Sequence, residues 1–224
     1  MFNDLKYIPE AWRNVRGSKS FRNQLVFSLL VFVAANLHNF HYLRIWEQRP
    51  GIQINDMVLN MMPPVNLSLP IFIFEYSAML LSVAFIMVFP DRFVKGLQMF
   101  SIVILARTLS IYLVALEPPK DMVPLYDPMA NFFLHTHDIF VDKDLFFSGH
   151  VAALVLLGLL VVNKYAKAWV FLSTFAVGVM IMWQHVHYST DVLFAPVASY
   201  IAYKFVLYIH RETQYGLETS NSNF

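Results

Sequence analysis

Two short segments near the C-terminal end carry side chains that could do chemistry: DLFFSGH, which ends at His150, and HVHYSTD, which ends at Asp191. Each lies where an apolar segment meets a polar one, and ionisable groups inside a membrane are costly enough to indicate a function. His187 and Asp191 are four residues apart, so on a helix they share a face and the carboxylate can accept the imidazole N–H. The other ring nitrogen of His187 could then attack an electrophile while His150 protonates the leaving group. This set predicts phosphate ester chemistry at a membrane edge.

The same residues also have structural interpretations. His187 and Asp191 could form a plain structural pair, and His150 could be a polar residue at a helix start that Ser148 caps. A helix N-terminus also gathers free N–H groups and a positive dipole, which favour a bound phosphate. Gly149 allows the backbone to approach such a ligand closely. We therefore predict that Ser148 and Gly149 help to bind the substrate phosphate.

Arg107 is the one arginine inside an apolar segment. An unpaired arginine at such a place costs about 2.5–3.5 kcal/mol on insertion scales, so it needs a partner. A structural partner would be a carboxylate such as Glu75, or the side chain could extend to the membrane surface. The functional interpretation is a guanidinium that binds the substrate phosphate, and we predict this role.

A metal centre is the alternative use of the histidines. His135, His137 and Asp138, in a loop between two apolar segments, could join the histidines above around a divalent ion. No HExxH or comparable string supports this, and a metal would leave the Ser-Gly pair of the first segment unexplained. We expect neither a metal nor a cofactor. His185 is two residues from His187, so on a helix it faces away from it, and we expect a supporting role for it.

The composition predicts an integral membrane protein. The 224 residues are 58% hydrophobic and 14% charged, with a mean hydropathy of +0.52, whereas soluble domains carry about 25% charged residues. The net charge of +1 gives no indication of nucleic-acid binding, because the basic residues lie at segment ends rather than in a patch, and we expect no nucleic-acid partner. The absence of cysteine excludes disulfides, thiolate metal sites and a cysteine nucleophile.

Apolar segments of about 20 residues predict membrane-spanning helices. We predict an all-α, polytopic bundle of six such helices at residues 22–42, 69–89, 96–116, 147–163, 167–185 and 190–209. The predicted divisions are an interfacial or cytoplasmic segment at 1–21, a membrane domain at 22–209 and a cytoplasmic tail at 210–224. Residues 7–17 suit a helix that lies in the interface. A secretory signal is the alternative for the first span, but that stretch has no clean cleavage site.

The distribution of lysine and arginine predicts the orientation. Basic residues precede the first span at Lys6, Arg13, Arg16, Lys19 and Arg22, and the same side gains more after spans two, four and six. The opposite side carries fewer, and cytoplasmic loops are the ones with the excess. Both termini are therefore predicted to be cytoplasmic. The starts of spans four and six, where the two histidine segments lie, then share the exoplasmic face.

At this point the residues resemble a known family. LFFSGH and HVHYSTDV resemble the third and fourth signature motifs of the sphingomyelin synthases, within the type 2 phosphatidic acid phosphatase (PAP2) superfamily. The segment from Arg107 to Pro119, RTLSIYLVALEPP, is similar to the second motif and shares its arginine, the tyrosine at Tyr112 and the terminal proline. Asp56, ahead of MMPPVN, corresponds to the first motif. The resemblance spans roughly residues 50–205.

The resemblance implies a PAP2-like six-helix fold whose histidine–histidine–aspartate triad faces the exoplasmic side. His187 would be the nucleophile, Asp191 its orienting carboxylate and His150 the acid that protonates the departing group. The family reaction moves a phosphorylated head group from a glycerophospholipid to a ceramide hydroxyl, releases diacylglycerol and needs no metal. The expected partners are a phospholipid donor and a ceramide-like or diacylglycerol-like acceptor in the membrane. The compact chain points to a bacterial inner membrane, with the site open to the periplasm.

The chain departs from the synthase pattern at Glu117, where proline is usual, and at Val151, where threonine is common. The plain lipid phosphatase pattern is absent, since Ile181 stands where an arginine usually precedes the last histidine by six positions. This favours a lipid phosphotransferase. A lipid phosphate phosphatase that acts on phosphatidic acid, a polyprenyl pyrophosphate or phosphoceramide is the alternative, because water can take the phosphoryl group from the same phosphohistidine. A non-catalytic lipid-binding protein is the third hypothesis.

Acidic and aromatic side chains on the outer side are candidates for binding a cationic head group. The candidates are Glu117, Asp121, Asp138, Asp142, Asp144, Tyr112, Tyr126, Phe146, Phe147 and Tyr188. Of these we select Asp144, Tyr112, Tyr188 and Glu117. Their structural interpretations are a solvated acidic loop and anchoring of aromatic rings at the interface. No oligomeric state is predicted.

Overall fold

The computed structural model describes residues 3–125 and 142–221. In these two stretches the chain forms seven α-helices and no β-strand. The α-helices are α1 (Ile8–Arg16), α2 (Lys19–Trp46), α3 (Ser68–Ile86), α4 (Pro90–Leu113), α5 (Gly149–Leu160), α6 (Lys164–Trp183) and α7 (Ser189–Asn221). Two short 3-10 helices lie at Asn3–Tyr7 and Leu59–Met61. The all-α prediction is confirmed for this part of the chain.

Five of these helices, α2, α3, α4, α6 and α7, are long and apolar enough to cross a membrane. They match five of the six predicted spans. The fourth predicted span, 147–163, corresponds to α5, which has 12 residues and is about 18 Å long, shorter than the ~30 Å hydrocarbon core. Its length is limited at both ends by caps. Ser148 caps its start, and Asn163, three residues after its end, already caps α6 by accepting the N–H groups of Tyr165 and Ala166.

Several helices extend past their predicted bounds. Helix α4 begins at Pro90 rather than at residue 96, because proline suits the first helical position and Asp91 in the first turn favours the helix dipole. Helix α2 begins at Lys19 and continues to Trp46. Helix α7 continues to Asn221, through most of the predicted tail.

Helix α5 lies at the centre of the bundle and packs against α3, α4, α6 and α7. Its Leu154 and Leu156 are fully buried. Helix α2 is peripheral: it packs mainly on α4, and Phe27 and Leu37 are each 65% exposed. Apolar surface of this kind suits contact with lipid and supports an integral membrane protein.

The predicted N-terminal helix is present as α1. Its Trp12 donates from Nε1 to the carbonyl of Met87 at 2.8 Å, just after the end of α3, and its ring packs edge-on against Phe93 of α4. This contact attaches α1 to the ends of two long helices. Placement of α1 in a membrane interface stays a prediction.

The loops after α2 and α4 are joined near the opposite ends of the long helices. Ile52 donates its N–H to Ala115 O at 2.9 Å and accepts the Glu117 N–H at 3.1 Å. A Cβ on Gly51 would lie 2.6 Å from the carbonyl carbon of Leu116, so only glycine allows this close approach. The two loops therefore form one framework beside the starts of α5 and α7.

Candidate active site

The starts of α5 and α7 meet, and this brings the two histidine segments together. The Ser148 N–H donates to the carbonyl of Asp191 at 3.1 Å. Further along, the Ser199 hydroxyl on α7 donates to Ala152 O on α5 at 2.9 Å. The two helices thus present their N-terminal ends, with their positive dipoles, to the same place.

His187 and Asp191 form the predicted pair, but they do not share a helix face, because α7 begins at Ser189, after His187. Nδ1 of His187 lies 3.3 Å from Oδ2 of Asp191, and both side chains are almost completely buried. The same oxygen accepts the backbone N–H of Tyr188 at 3.3 Å. The carboxylate is held by its own helix start, so it can fix which nitrogen of His187 carries the proton. This leaves Nε2 for chemistry.

His150 is bonded to a second carboxylate that sequence reasoning did not assign to it. Its Nδ1 lies 2.8 Å and 3.0 Å from the two carboxylate oxygens of Glu75 in α3, and Glu75 is buried. The sequence signal was present, since Glu75 is an acidic residue inside an apolar segment. From the sequence, Glu75 is a candidate partner for Arg107, because spacing along the chain cannot show which basic group a distant carboxylate meets. The rings of His150 and His187 lie 6.4 Å apart.

Arg107 reaches the segment before α5. Its Nη2 lies 2.5 Å from Oδ2 of Asp144 and 3.3 Å from Asp144 O, and its Nε donates to Phe147 O at 3.2 Å. The arginine is therefore paired with a carboxylate, as its structural interpretation required, although that carboxylate is Asp144. It nevertheless lines the cavity between the histidines, and its contact with a phosphate stays a prediction.

Ser148 and Gly149 both make close contacts within the protein. The Ser148 hydroxyl accepts the Val151 N–H at 3.4 Å as the cap of α5, and the residue is fully buried. A Cβ on Gly149 would lie 2.9 Å from Cζ of Arg107. The close approach that glycine permits here is therefore that of the guanidinium. Phe146 has a φ of 103°, a region that side-chain-bearing residues rarely adopt, so the turn before α5 is held in place by its contacts.

A cavity of about 80 Å³ lies between these groups. We name it the histidine cavity. It is lined by Arg107, Met122, Leu125, Asp142, Asp144, Leu145, His150, Val186 and His187. Four of the ten predicted site residues line it, namely Arg107, Asp144, His150 and His187. Asp191 stands behind His187, and Ser148 and Gly149 shape the start of α5.

The other three head-group candidates lie elsewhere. Tyr112 is 59% exposed on α4. Tyr188 is buried, and its hydroxyl donates to Glu117 O at 2.8 Å and accepts the Ile54 N–H at 3.1 Å. The Glu117 carboxylate bonds Lys143 at 2.9 Å, and this contact lowers the pKa of Glu117. In this arrangement Glu117 and Tyr188 help to hold the loops after α2 and α4 together.

An acidic pair adjoins the histidine cavity. Glu47, after α2, accepts the N–H groups of Asp142 and Lys143, both at 3.1 Å. Burial raises the pKa of Glu47 to about 7, helped by the hydrogen bond to the Asp142 side chain. The Glu47 carboxyl group can therefore carry a proton near neutral pH. This couples the end of α2 to the segment that carries Asp142 and Asp144.

Asp56, matched above to the first motif, lies at the start of α7. Its Oδ2 accepts the Ser189 N–H at 2.7 Å, and its Oδ1 accepts the Val58 N–H at 2.9 Å. Burial alone would raise the pKa of Asp56, but these hydrogen bonds lower it overall. A carboxylate at this position complements the dipole of the helix that carries Asp191.

The metal alternative is tested only in part. Among the residues that the structure describes, no group of three or more His, Cys, Asp or Glu side chains is placed to hold a metal ion. His135, His137 and Asp138, which this alternative needs, lie outside the described residues, as does Tyr126.

Comparison with known proteins bears on the C-terminal part of the chain. Residues 143–210 match the family model described as PAP2 superfamily C-terminal. The match contains both histidine segments, with Asp144, His150, His187 and Asp191, and stops short of Glu75 and Arg107. This part of the chain is therefore similar to the PAP2 superfamily, to which phosphatases and related phosphotransferases belong. Among curated proteins, none matches this chain.

Proposed function

We propose that the protein is an integral-membrane lipid phosphotransferase. It moves a phospho-head group from a glycerophospholipid to the hydroxyl of a ceramide-like or diacylglycerol-like acceptor, through a phosphohistidine on His187. The observation that carries this proposal is the convergence of the His187–Asp191 pair, His150 and Arg107 on the histidine cavity. A nucleophile with an orienting carboxylate and a facing acid are the parts that covalent phosphoryl transfer needs.

In the first step, Nε2 of His187 attacks the phosphorus of the donor lipid. A P–N bond forms, and the bond from phosphorus to the diacylglycerol oxygen breaks. Protonated His150 gives its proton to that oxygen, so diacylglycerol leaves as the neutral alcohol. Asp191 stabilises the charge that develops on the His187 ring, because it accepts the hydrogen bond from Nδ1.

In the second step the acceptor hydroxyl attacks the phosphorus of the phosphohistidine. Its oxygen forms the new P–O bond, its proton passes to His150, and the P–N bond breaks to restore His187. Glu75 supports both steps, since its carboxylate holds Nδ1 of His150 and leaves Nε2 as the atom that exchanges the proton. Water in place of the acceptor gives hydrolysis by the same route.

Charge and hydrogen bonding around the cavity suit a phosphorylated head group. Arg107 and the N-terminal end of α5 offer positive charge to the phosphate oxygens. Within the described residues, Oδ1 of Asp144 is buried and has no hydrogen-bond partner, and leaving such an atom unpaired costs about 1–3 kcal/mol. A donor on the head group, such as an amine, would satisfy it. Asp144 is therefore our choice for the head-group contact.

The location of this activity follows from the charge distribution. The basic residues before α2 and after α3 favour a cytoplasmic N-terminus, and the histidine cavity lies at the opposite ends of the long helices. We place the cavity on the exoplasmic face, which in a bacterial inner membrane opens to the periplasm.

Turnover by detergent-purified protein tests the proposal directly. Phospholipids labelled in the head group are supplied with and without ceramide or diacylglycerol, with a chelator present throughout. We expect the label to move into a new lipid only when the acceptor is present. His187→Ala should abolish transfer, whereas His38→Ala, a matched change at an exposed histidine of α2, should not. Label released to water regardless of acceptor would establish a lipid phosphatase instead, and turnover by His187→Ala would exclude the phosphohistidine.

A further inference from the structure

His185 lies two residues before His187 and faces the other way. It is buried, with 6% of its surface exposed, and its φ is 59°. That left-handed conformation is uncommon for a residue with a side chain, and it persists only where surrounding contacts hold it. The proposed reaction does not use the His185 ring, so its contacts point to a separate role.

Both ring nitrogens of His185 meet backbone carbonyls. Nδ1 lies 3.0 Å from Lys120 O, in the loop after α4. Nε2 lies 3.0 Å from Met62 O, in the loop before α3. A carbonyl oxygen can only accept, and a neutral imidazole can donate from only one nitrogen. Both contacts are hydrogen bonds only if the ring carries both protons.

The position of His185 connects this ring to the histidine cavity. A second cavity of about 300 Å³, which we name the outer polar cavity, lies on the other side of the segment and is lined by His185 and Tyr188. Val186 and His187, between them in sequence, line the histidine cavity. Residues 185–188 therefore separate the two cavities, and the contacts of His185 hold this segment on the side of the outer polar cavity. The preceding Gln184 helps, since its Oε1 accepts the Leu67 N–H at 2.8 Å.

We propose that His185 is a positioning residue for His187 and that it works as an imidazolium, donating to Lys120 O and Met62 O at once. In this form it holds two outer loops against the segment that presents His187 to the substrate. The positioning role rests on the proposed function of His187, whereas the double protonation of the His185 ring is independent of that function. The charged side chains that line the same cavity are Asp56, Lys120 and Asp121, and no carboxylate is bonded to the His185 ring within the described residues.

Ring protonation can be measured without an activity assay. Protein labelled with ¹⁵N in its eight histidines is compared with the His185→Asn variant by NMR at pH 7. Asparagine tolerates a left-handed backbone, so this change removes the ring and keeps the local conformation. We expect the signal lost in the variant to come from a ring with both nitrogens protonated. Loss of a neutral-ring signal would overturn the proposal. His185→Arg, which keeps the charge and several donors, gives a second assignment by the same comparison.

The positioning role has its own readout. We expect His185→Asn to lower kcat about 10- to 100-fold, with little change in KM, because small displacements of a reacting group have effects of that size. His38→Asn is the matched control and should leave kcat unchanged. Wild-type kcat in folded His185→Asn protein would refute the positioning role. Turnover retained by His187→Ala would refute the proposed chemistry while leaving the NMR result on His185 intact.

Discussion

The two histidines of the site are each bonded to a carboxylate, but the carboxylates come from very different distances along the chain. Asp191 is four residues from His187 and lies in the first turn of α7, which begins two residues after His187. Glu75 is 75 residues from His150 and reaches it only because α3 packs against α5. The first pair is specified by a local pattern, whereas the second depends on the packing of the whole bundle. We therefore expect the first pair to withstand loosening of the fold better than the second.

The largest effect is expected from Asp191→Asn. An amide in place of the carboxylate can stabilise the wrong tautomer of His187 and cannot balance the charge on its ring, so kcat should fall about 10³- to 10⁴-fold. The fold should persist, since the change is nearly isosteric. Steady-state turnover and the thermal melting curve measure the two. Asp91→Asn, in the exposed pair with Lys95, is the matched control. A loss of less than tenfold would show that the local pair is structural.

A smaller effect is expected from Glu75→Gln. His150 keeps a hydrogen-bond partner but loses the charged one, so kcat should fall about 10²-fold, the range of general acid–base contributions. If Glu75→Gln reduced kcat as much as Asp191→Asn, the distinction between the local and the distant pair would fail.

Gly149→Ala tests how closely Arg107 must approach the start of α5. The added Cβ would lie 2.9 Å from Cζ of Arg107, so the guanidinium must shift, and we expect KM for the donor lipid to rise about 10-fold. Gly17→Ala is the control, since nothing lies within 4 Å of a Cβ placed there. An unchanged KM would mean that Arg107 does not set the affinity for the phosphate.

The smallest effect concerns Glu47, whose pKa is raised to about 7 from its ordinary 4.5. The folded state binds this proton more tightly than the unfolded state, so its stabilising contribution is present below about pH 4.5 and is lost as the pH rises through 7. Because Glu47 is only half-buried, we expect a modest fall in Tm, about 2–4 °C, between pH 5 and pH 8. Glu47→Gln should flatten that part of the profile, and the exposed Glu10→Gln should not. An equally steep profile in Glu47→Gln would assign the effect to other groups.

The fold shows the same division between local and distant information. Five of the six predicted spans match helices that are long and apolar enough to cross a membrane, because length and composition are local properties. The fourth predicted span contains a helix that is shorter than this. Its apolar pattern continues through Val161 and Val162, but Ser148 caps the start of α5 and Asn163 caps the start of α6. Hydropathy predicts an apolar segment more easily than it predicts where such caps end a helix.

The site residues divide in the same way. The pairing of His187 with Asp191 and the cap at Ser148 were predicted from spacing and residue type. The pairings of Glu75 with His150 and of Arg107 with Asp144 were not predicted, because each joins residues that are far apart along the chain. Glu117 and Tyr188 were selected by charge and aromaticity, and the structure places both in the loop framework.

The sequence by itself determined the membrane setting, most of the long helices and the pairing of His187 with Asp191, because hydropathy and close spacing are local properties of the chain. Only the tertiary structure decided which carboxylate meets His150, which meets Arg107, and that His185 faces two carbonyls behind the wall of the cavity. Those contacts join residues that are between 37 and 123 positions apart. Contacts at that separation form only when whole helices pack, and no local preference of the residues specifies them.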